Sequence, residues 1–353
     1  MIQTTTTTMI AQKRSHFPSF TPFRSSKNRS SLPNNFDLIA RSFDADLLRR
    51  LKPLTPRAST TAFNNFSLSW LSQAVDFLSA THAEAHALIA KLDVKMSPSY
   101  LDGSLSILDA CNSISREIQR LRQRRLLINS VLQLLQFPGH DGCRLPAPEK
   151  LRRARDLLSS DQDKNKPLTK QRALIDSEAS VRNLALPRGK ISSAEEVVRR
   201  TMCAVGVITA FLARAAVATL SGEDAAATAA IGIPAEFAWA KPLGEIGSVI
   251  GVPAEVGDVE ESVRALRNVI DGVVVEGFKV EGNAVKELWD AVKEVEAAMG
   301  KFSDGLERLA DGVNRTFGAV LGSRNGMLVE YRKGHESCDE KQSNSNSKCK
   351  ANV

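Results

Sequence analysis

The sequence predicts an all-α fold: an elongated antiparallel helical bundle with disordered N- and C-terminal tails. Three observations lead there. Apolar residues recur at steps of three and four over two long stretches. The first holds Ile107, Cys111, Ile114, Ile118, Leu121, Ile128, Leu132 and Leu135, with Arg125 standing in one slot of the seam. The second holds Val285, Leu288, Val292, Val295, Met299, Phe302, Leu306, Leu309 and Val313. Such spacing winds one apolar stripe down one helix face. Aromatic content is only 5% against 42% hydrophobic, which favours helices packed on helices over sheets. No alternating Val/Ile/Thr runs bounded by Asn-Gly turns occur.

Taken in order, residues 1–35 are rich in Thr, Ser, Pro and Arg and contain no acid before Asp37. They cannot bury enough apolar surface to fold alone, so they read as a disordered tail, with an organelle transit segment as the alternative. Phe36, Ala40, Phe43, Leu47 and Leu51 share one face of a short helix that ends before Pro53. A Pro/Thr/Asn linker over 52–66 follows. Trp70, Ala74, Phe77, Leu78, Thr81, Ala85, Leu88, Ile89 and Leu92 mark the buried side of a helix over about 67–92. Met96-Ser97-Pro98 breaks it, and a long helix over 100–136 follows, roughly 50 Å in length. The short break predicts antiparallel packing of these two neighbours.

Pro138, Gly139, Gly142, Pro146 and Pro148 form a loop, a short basic helix covers about 148–159, and 160–166 is polar. Helical patterning resumes over 170–186 until Pro187-Arg188-Gly189 stops it. The most apolar window is Thr201–Leu220. Its length just spans a bilayer. Arg214 lies inside it, however, and a central Arg costs about 2.5–3.5 kcal/mol on insertion. The preferred reading is a buried core helix with Arg214 paired or snorkelling. The alternative is a single membrane pass with Arg199 and Arg200 on the cytoplasmic side. Residues 221–255 are Ala/Gly/Pro-rich and read as irregular, 256–270 as helical, and 281–321 as a second long helix able to cover the first stripe. The domain plan is a tail over 1–35, a helical domain over 36–325 and a tail over 326–353.

The chemistry-bearing residues do not assemble a reaction centre. His82 and His86 stand one helical turn apart, but Glu84 projects away from both and no third ligand is apparent, so they read as ordinary helix histidines. Asp44 and Asp46 have no matching His or metal partner. The five cysteines are scattered with no CxxC, which points to a reducing compartment without disulfides or zinc. There is no phosphate loop and no nucleophile elbow. Net charge is +7, with five arginines between Arg116 and Arg125. Nucleic acid is disfavoured because no aromatics interleave that run. A solvated or partner-facing surface is preferred, with an acidic protein or an anionic lipid surface as the sharper alternative.

Two blocks of residues resemble a known family. Leu68-Ser69-Trp70-Leu71, Ala74, Phe77-Leu78 and Thr81-His82 form the first; Tyr100-Leu101-Asp102, Leu108-Asp109-Ala110-Cys111-Asn112 and Glu117 form the second. Together they resemble the signature of the plant BYPASS-related family, also called ROH, over roughly residues 36–325. The Thr-rich start and Arg214 depart from it, which weakens a transferred membrane span. The resemblance implies a non-enzymatic helical regulator of root and shoot development. Its founding type limits a root-derived, graft-mobile signal that arrests shoot growth and depends on carotenoid synthesis. Other members resemble partners of an exocyst subunit in secretion.

The expectations are therefore definite. No catalytic, cofactor-binding or metal-binding residue is expected. Arg116, Arg120, Arg122, Arg124 and Trp70 are the candidate interaction surface. The expected partner is a protein, with an exocyst subunit and membrane contact through 201–220 in the alternative reading. The expected location is cytoplasmic or membrane-associated, with plastid targeting as the alternative.

Overall fold

A computed structural model describes residues 36–55, 66–94, 97–136, 145–164, 191–222, 234–248, 250–275 and 282–350; for 161–164, 282 and 333–350 it describes the backbone alone. The chain divides into Met1–Asn34 and Asn35–Val353, and the described residues lie in the second unit. The expected tail over 1–35, the linker beyond Thr55 and the helix over 170–186 fall outside them. Among the described residues the fold is all-α. Its helices are α1 (Phe36–Leu51), α2 (Leu68–Lys91), α3 (Pro98–Leu134), α4 (Pro148–Lys164), α5 (Ala194–Ser221), α6 (Ala240–Gly247), α7 (Ala254–Val275) and α8 (Gly282–Lys350). A 3-10 turn at Lys52–Leu54 follows α1.

Local signals set the helix ends. Pro98 opens α3 where its missing N–H costs nothing. Ser67 caps α2 by accepting from the Trp70 amide at 3.1 Å. Ser193 and Glu196 form a reciprocal capping box on α5, which ends at Gly222 with φ +73°. The box places the start of α5 at Ala194, a full two turns before the apolar window at Thr201.

Interhelical contacts give the directions. Arg122 and Arg125 reach Glu307, while Arg324 reaches the Leu101 carbonyl and Ser104, so α3 and α8 run antiparallel. The two long apolar stripes do cover one another. Leu68 lies against Gly305, and Asp76 pairs with Arg315, so α2 and α8 run parallel. Gly103 lies against Met202, and Arg120 reaches the Leu220 carbonyl, so α3 and α5 run parallel.

The neighbours of α2 are α5 and α8, and the same two flank α3. Thus α2 and α3, though antiparallel and joined by a short link, lie across the core rather than side by side. This corrects the expected side-by-side pairing: the stripes of α2 and α3 are covered mainly by α5 and α8, and the two helices touch at His82 and Tyr100. The core is continuous through all eight described helices, α1 to α8, and includes Leu47, Leu71, Ile89, Ile107, Ile118, Leu121, Leu306 and Leu309. Each Leu or Ile fully withdrawn from water contributes roughly 1.5–3 kcal/mol.

Helix α5 is buried on nearly every side from Val197 to Leu220, covered by α1, α2 and α3. It is the one described helix long and apolar enough to cross a membrane by length and composition, and in this fold its surface is spent on the core. Arg200, which the alternative reading of a membrane pass puts on the cytoplasmic side, binds Asp44 of α1. Residues 240–247, expected to be irregular, form α6. Its single turn pair is anchored by the fully buried Trp239 and tolerates Pro242 in the first turn. Helices α4 and α7 run longer than their apolar patterns suggested. Helix α8 begins at Gly282 as expected but passes Leu321 and reaches Lys350, so the 326–353 stretch is helical backbone to that point.

Candidate functional site

The arginine run occupies the middle of α3, and helical geometry sorts its members. Residues 118, 121 and 128 face the core, so 116, 119, 123 and 126 must face out, and 120, 122, 124 and 125 flank the seam. The flanking arginines turn toward neighbouring helices. Arg122 and Arg125 both donate to Glu307 of α8, the latter at 2.8 Å. Arg124 donates to Glu260 of α7 at 3.1 Å. Arg120 donates to Glu117 at 2.8 Å and to the Leu220 carbonyl at the end of α5 at 2.5 Å. Hydrogen bonding from Arg122, followed by Arg125, holds Glu307 below the usual carboxylate range.

Arg116 remains exposed, donating to Ser113 at 3.3 Å. It lies on an outward groove of about 510 Å³ lined by Asn112, Ser115, Arg116, Gln119, Arg120 and Gln123. This lining offers carboxamides, a hydroxyl and guanidiniums, which suit hydrogen bonding to a carboxylate-bearing partner. It contains no acid, imidazole or thiol with which to move a proton or attack a carbonyl.

Trp70 sits apart from the arginines. Its indole N–H donates to the Leu54 carbonyl at 3.2 Å, and its ring lies 4.8 Å from that of Phe66. It pins the 3-10 turn against α2. The structure thus joins Arg120, Arg122 and Arg124 in the packing of α3 and leaves Arg116 on the groove; Trp70 is not part of that surface.

Two polar clusters escaped the sequence reading. Asp44 accepts from Arg200 at 2.8 Å and from the Trp239 indole N–H at 3.3 Å. Phe237 completes the cluster, stacked 4.5 Å from Trp239 with the Arg200 guanidinium 4.6 Å over its ring. Asp44 falls on the apolar stripe of α1, one residue from Phe43, and a carboxylate in that slot is the signal that could have found it. In the second cluster, His82 Nε2 and the Tyr100 hydroxyl lie 3.2 Å apart within the core. Burial, followed by the nearby His86, pushes His82 down to about 4. Burial pushes Tyr100 up to about 12, against a hydrogen bond with Ser323 and the charge of Arg324. His82 is therefore neutral and structural at ordinary pH. Burial also pushes the Cys111 and Cys203 thiols up to about 11, so neither is a thiolate nucleophile at neutral pH. Among the described residues no three His, Cys, Asp or Glu side chains gather as a metal site.

Against known proteins, the chain is 28% identical over 293 residues to Protein BPS1, chloroplastic, of Arabidopsis thaliana, spanning 79% of this chain and 77% of that protein. It is 28% identical over 251 residues to UPF0496 protein 4 of Oryza sativa subsp. japonica, covering 67% of this chain. The same figures hold for UPF0496 protein 4 of subsp. indica. The chain spans about half the length of the rice proteins, 52% in each. No protein-family model matches the chain, and no solved structure matches it.

Proposed function

We propose, from the premise that this chain is BYPASS-like, that it is a non-enzymatic regulator of plant development. It limits a root-derived mobile signal that arrests shoot and leaf growth, and it acts through contacts made by its helices. The observation that carries this reading is the similarity to BPS1 along more than three quarters of both chains. The outward groove on α3 supports a binding role, because its lining recognises by hydrogen bonds and supplies no proton-transfer group. The test is complementation. Expression of this chain in plants lacking their BPS1-type protein should restore leaf growth, and wild-type scions grafted onto such roots should also recover. Full expression without recovery would sink the reading. Arg116→Glu should abolish recovery while leaving the fold intact, since Arg116 is exposed. Arg120 and Arg124 are poorer probes because their reversal breaks contacts to α5 and α7.

A second reading, a membrane-associated adaptor that binds an exocyst subunit, is favoured by the length and apolar composition of α5. It requires α1, α2 and α3 to leave α5, because they cover it in the bundle. Carbonate extraction of plant membranes separates the two: retention in the pellet supports the adaptor, and release supports the regulator. The name of BPS1 carries a chloroplast label, and by analogy we place the 1–35 stretch under test as a plastid transit segment. Import of the full chain into isolated plastids with loss of that segment would support it; a full-length chain left outside would count against it.

A further inference from the structure

Glycine in a helix interior costs about 0.5–1 kcal/mol relative to alanine, so its placement there asks for a reason. Two glycines of the bundle have one in a neighbouring helix. A Cβ on Gly305 would come within 2.9 Å of Leu68 Cδ1 and 3.0 Å of Leu68 Cβ, and one on Gly103 would meet the end of Met202. In both places the missing side chain lets two helices approach.

Gly318, Gly322 and Gly326 follow one another at four-residue steps on α8, and a Cβ on any of them would meet nothing within 4 Å. All three are exposed, as are Asn325 and Val329 on the same face. Val329 is 46% exposed and Leu321, on the rim, 38%. Among the described residues nothing lies against these three glycines. Their spacing is that of helices whose backbones approach more closely than the usual 8–10 Å.

The charges around this row say what approaches. If a second α8 lies antiparallel across Gly322, Gly318 of one copy meets Gly326 of the other. Arg315 then faces Glu330 of the second copy, and Arg332 faces Asp311, with each pair occurring twice by symmetry. In a parallel pairing Arg315 would face Arg315 and Glu330 would face Glu330. Arg315, Glu330, Arg332 and Asp311 are all exposed. The present partner of Arg315 is Asp76 at 3.4 Å, with side chains 67% and 60% exposed, a surface pair that holds it only weakly. A self-complementary strip is the requirement for a two-fold interface, and two-fold dimers are the commonest closed assembly.

We propose that the protein forms a homodimer through the face of α8 running from Asp311 to Arg332, two copies crossing antiparallel at Gly322. The interface is about six helical turns long, with glycine contacts at its centre and ion pairs at both ends.

Sedimentation equilibrium of the full chain tests it. The wild type should dimerise in the micromolar range, and raising the salt should weaken the dimer. Gly322→Leu should raise the dissociation constant by about tenfold or more, since the side chain sits on the two-fold axis. It is safe for the fold, because its Cβ meets nothing in the monomer; an unchanged circular dichroism melt confirms this. Arg315→Glu should also weaken the dimer, and Arg315→Glu with Glu330→Arg should restore it. A wild-type chain that stays monomeric at about 100 µM overturns the proposal. So does a dimer indifferent to Gly322→Leu, or a charge swap that fails to rescue.

Discussion

His82 shows how one buried side chain ties stability to pH. Tyr100 faces it from α3, Ser323 and Arg324 lie beside Tyr100 on α8, and His86 is one turn away on α2. A neutral ring can accept from the Tyr100 hydroxyl at Nε2; a protonated ring cannot. The folded value near 4 lies below the ordinary 6.5, so the unfolded chain binds the extra proton first. Stability is complete above pH 6.5 and declines as pH falls toward 4, by an amount on the order of 3 kcal/mol. Urea melts at pH 7 and pH 4.5 should show this loss, and His82→Gln should flatten the slope between them. Asp44 gives a second residue-scale expectation. Asp44→Ala strands the Arg200 guanidinium and the Trp239 N–H together, which should cost about 3–5 kcal/mol. Asp46→Ala, at an exposed pair with Arg49, should cost under about 1 kcal/mol. Equal losses in the two variants would show that the buried cluster contributes nothing special.

At the scale of the element, what matters is which face of a helix meets which neighbour. Gly305 faces the Cβ and Cδ1 of Leu68, close to backbone that cannot give way, whereas Gly103 faces the mobile tip of Met202. Gly305→Ala should therefore destabilise the bundle by about 1–3 kcal/mol. Gly103→Ala should be close to neutral, because a Met side chain moves at little cost and the helix gains propensity. Thermal melts of the two variants read this difference, and the reverse order would show that α2 and α8 are not in register as described. Helix α3 was legible in full because its stripe is long and its ends are marked by Pro98 and Pro138. The arginines on it were legible as a surface feature but not as packing contacts. Their partners Glu260 and Glu307 stand 136 and 185 residues away from Arg124 and Arg122 and leave no trace in local spacing. The start of α5 is written in the capping box of Ser193 and Glu196, a polar signal that stands two turns ahead of the apolar run and outside its periodicity. Helix α6 was hidden by its shortness and its glycines.

For the whole molecule, chain order and spatial order diverge. Sequence periodicity revealed which faces are apolar but not which pairs of faces meet, and α2 and α3 illustrate the gap. They are neighbours along the chain and touch at His82 and Tyr100, but each packs mainly on α5 and α8, from much later in the sequence. Much of the core, including most of the cover over α2 and α3, is thus built from contacts between the first and second halves. Loop closure must precede such contacts, so the fold should form slowly for an α-protein and in one step. A chain cut in the 165–190 stretch makes the point measurable. The piece ending at 164 keeps α1 to α4 but loses the cover for the stripes of α2 and α3. The piece from 191 onward keeps α5 but loses α1, α2 and α3, the helices that cover it. Each alone should lack a cooperative melt and expose apolar surface to a hydrophobic dye. Mixed or co-expressed, the two should associate and recover a single sharp transition, because the contacts between the described helices of the two pieces survive the cut. A first piece that melts cooperatively by itself would mean that α2 and α3 cover one another after all, and the crossed arrangement would have to be given up.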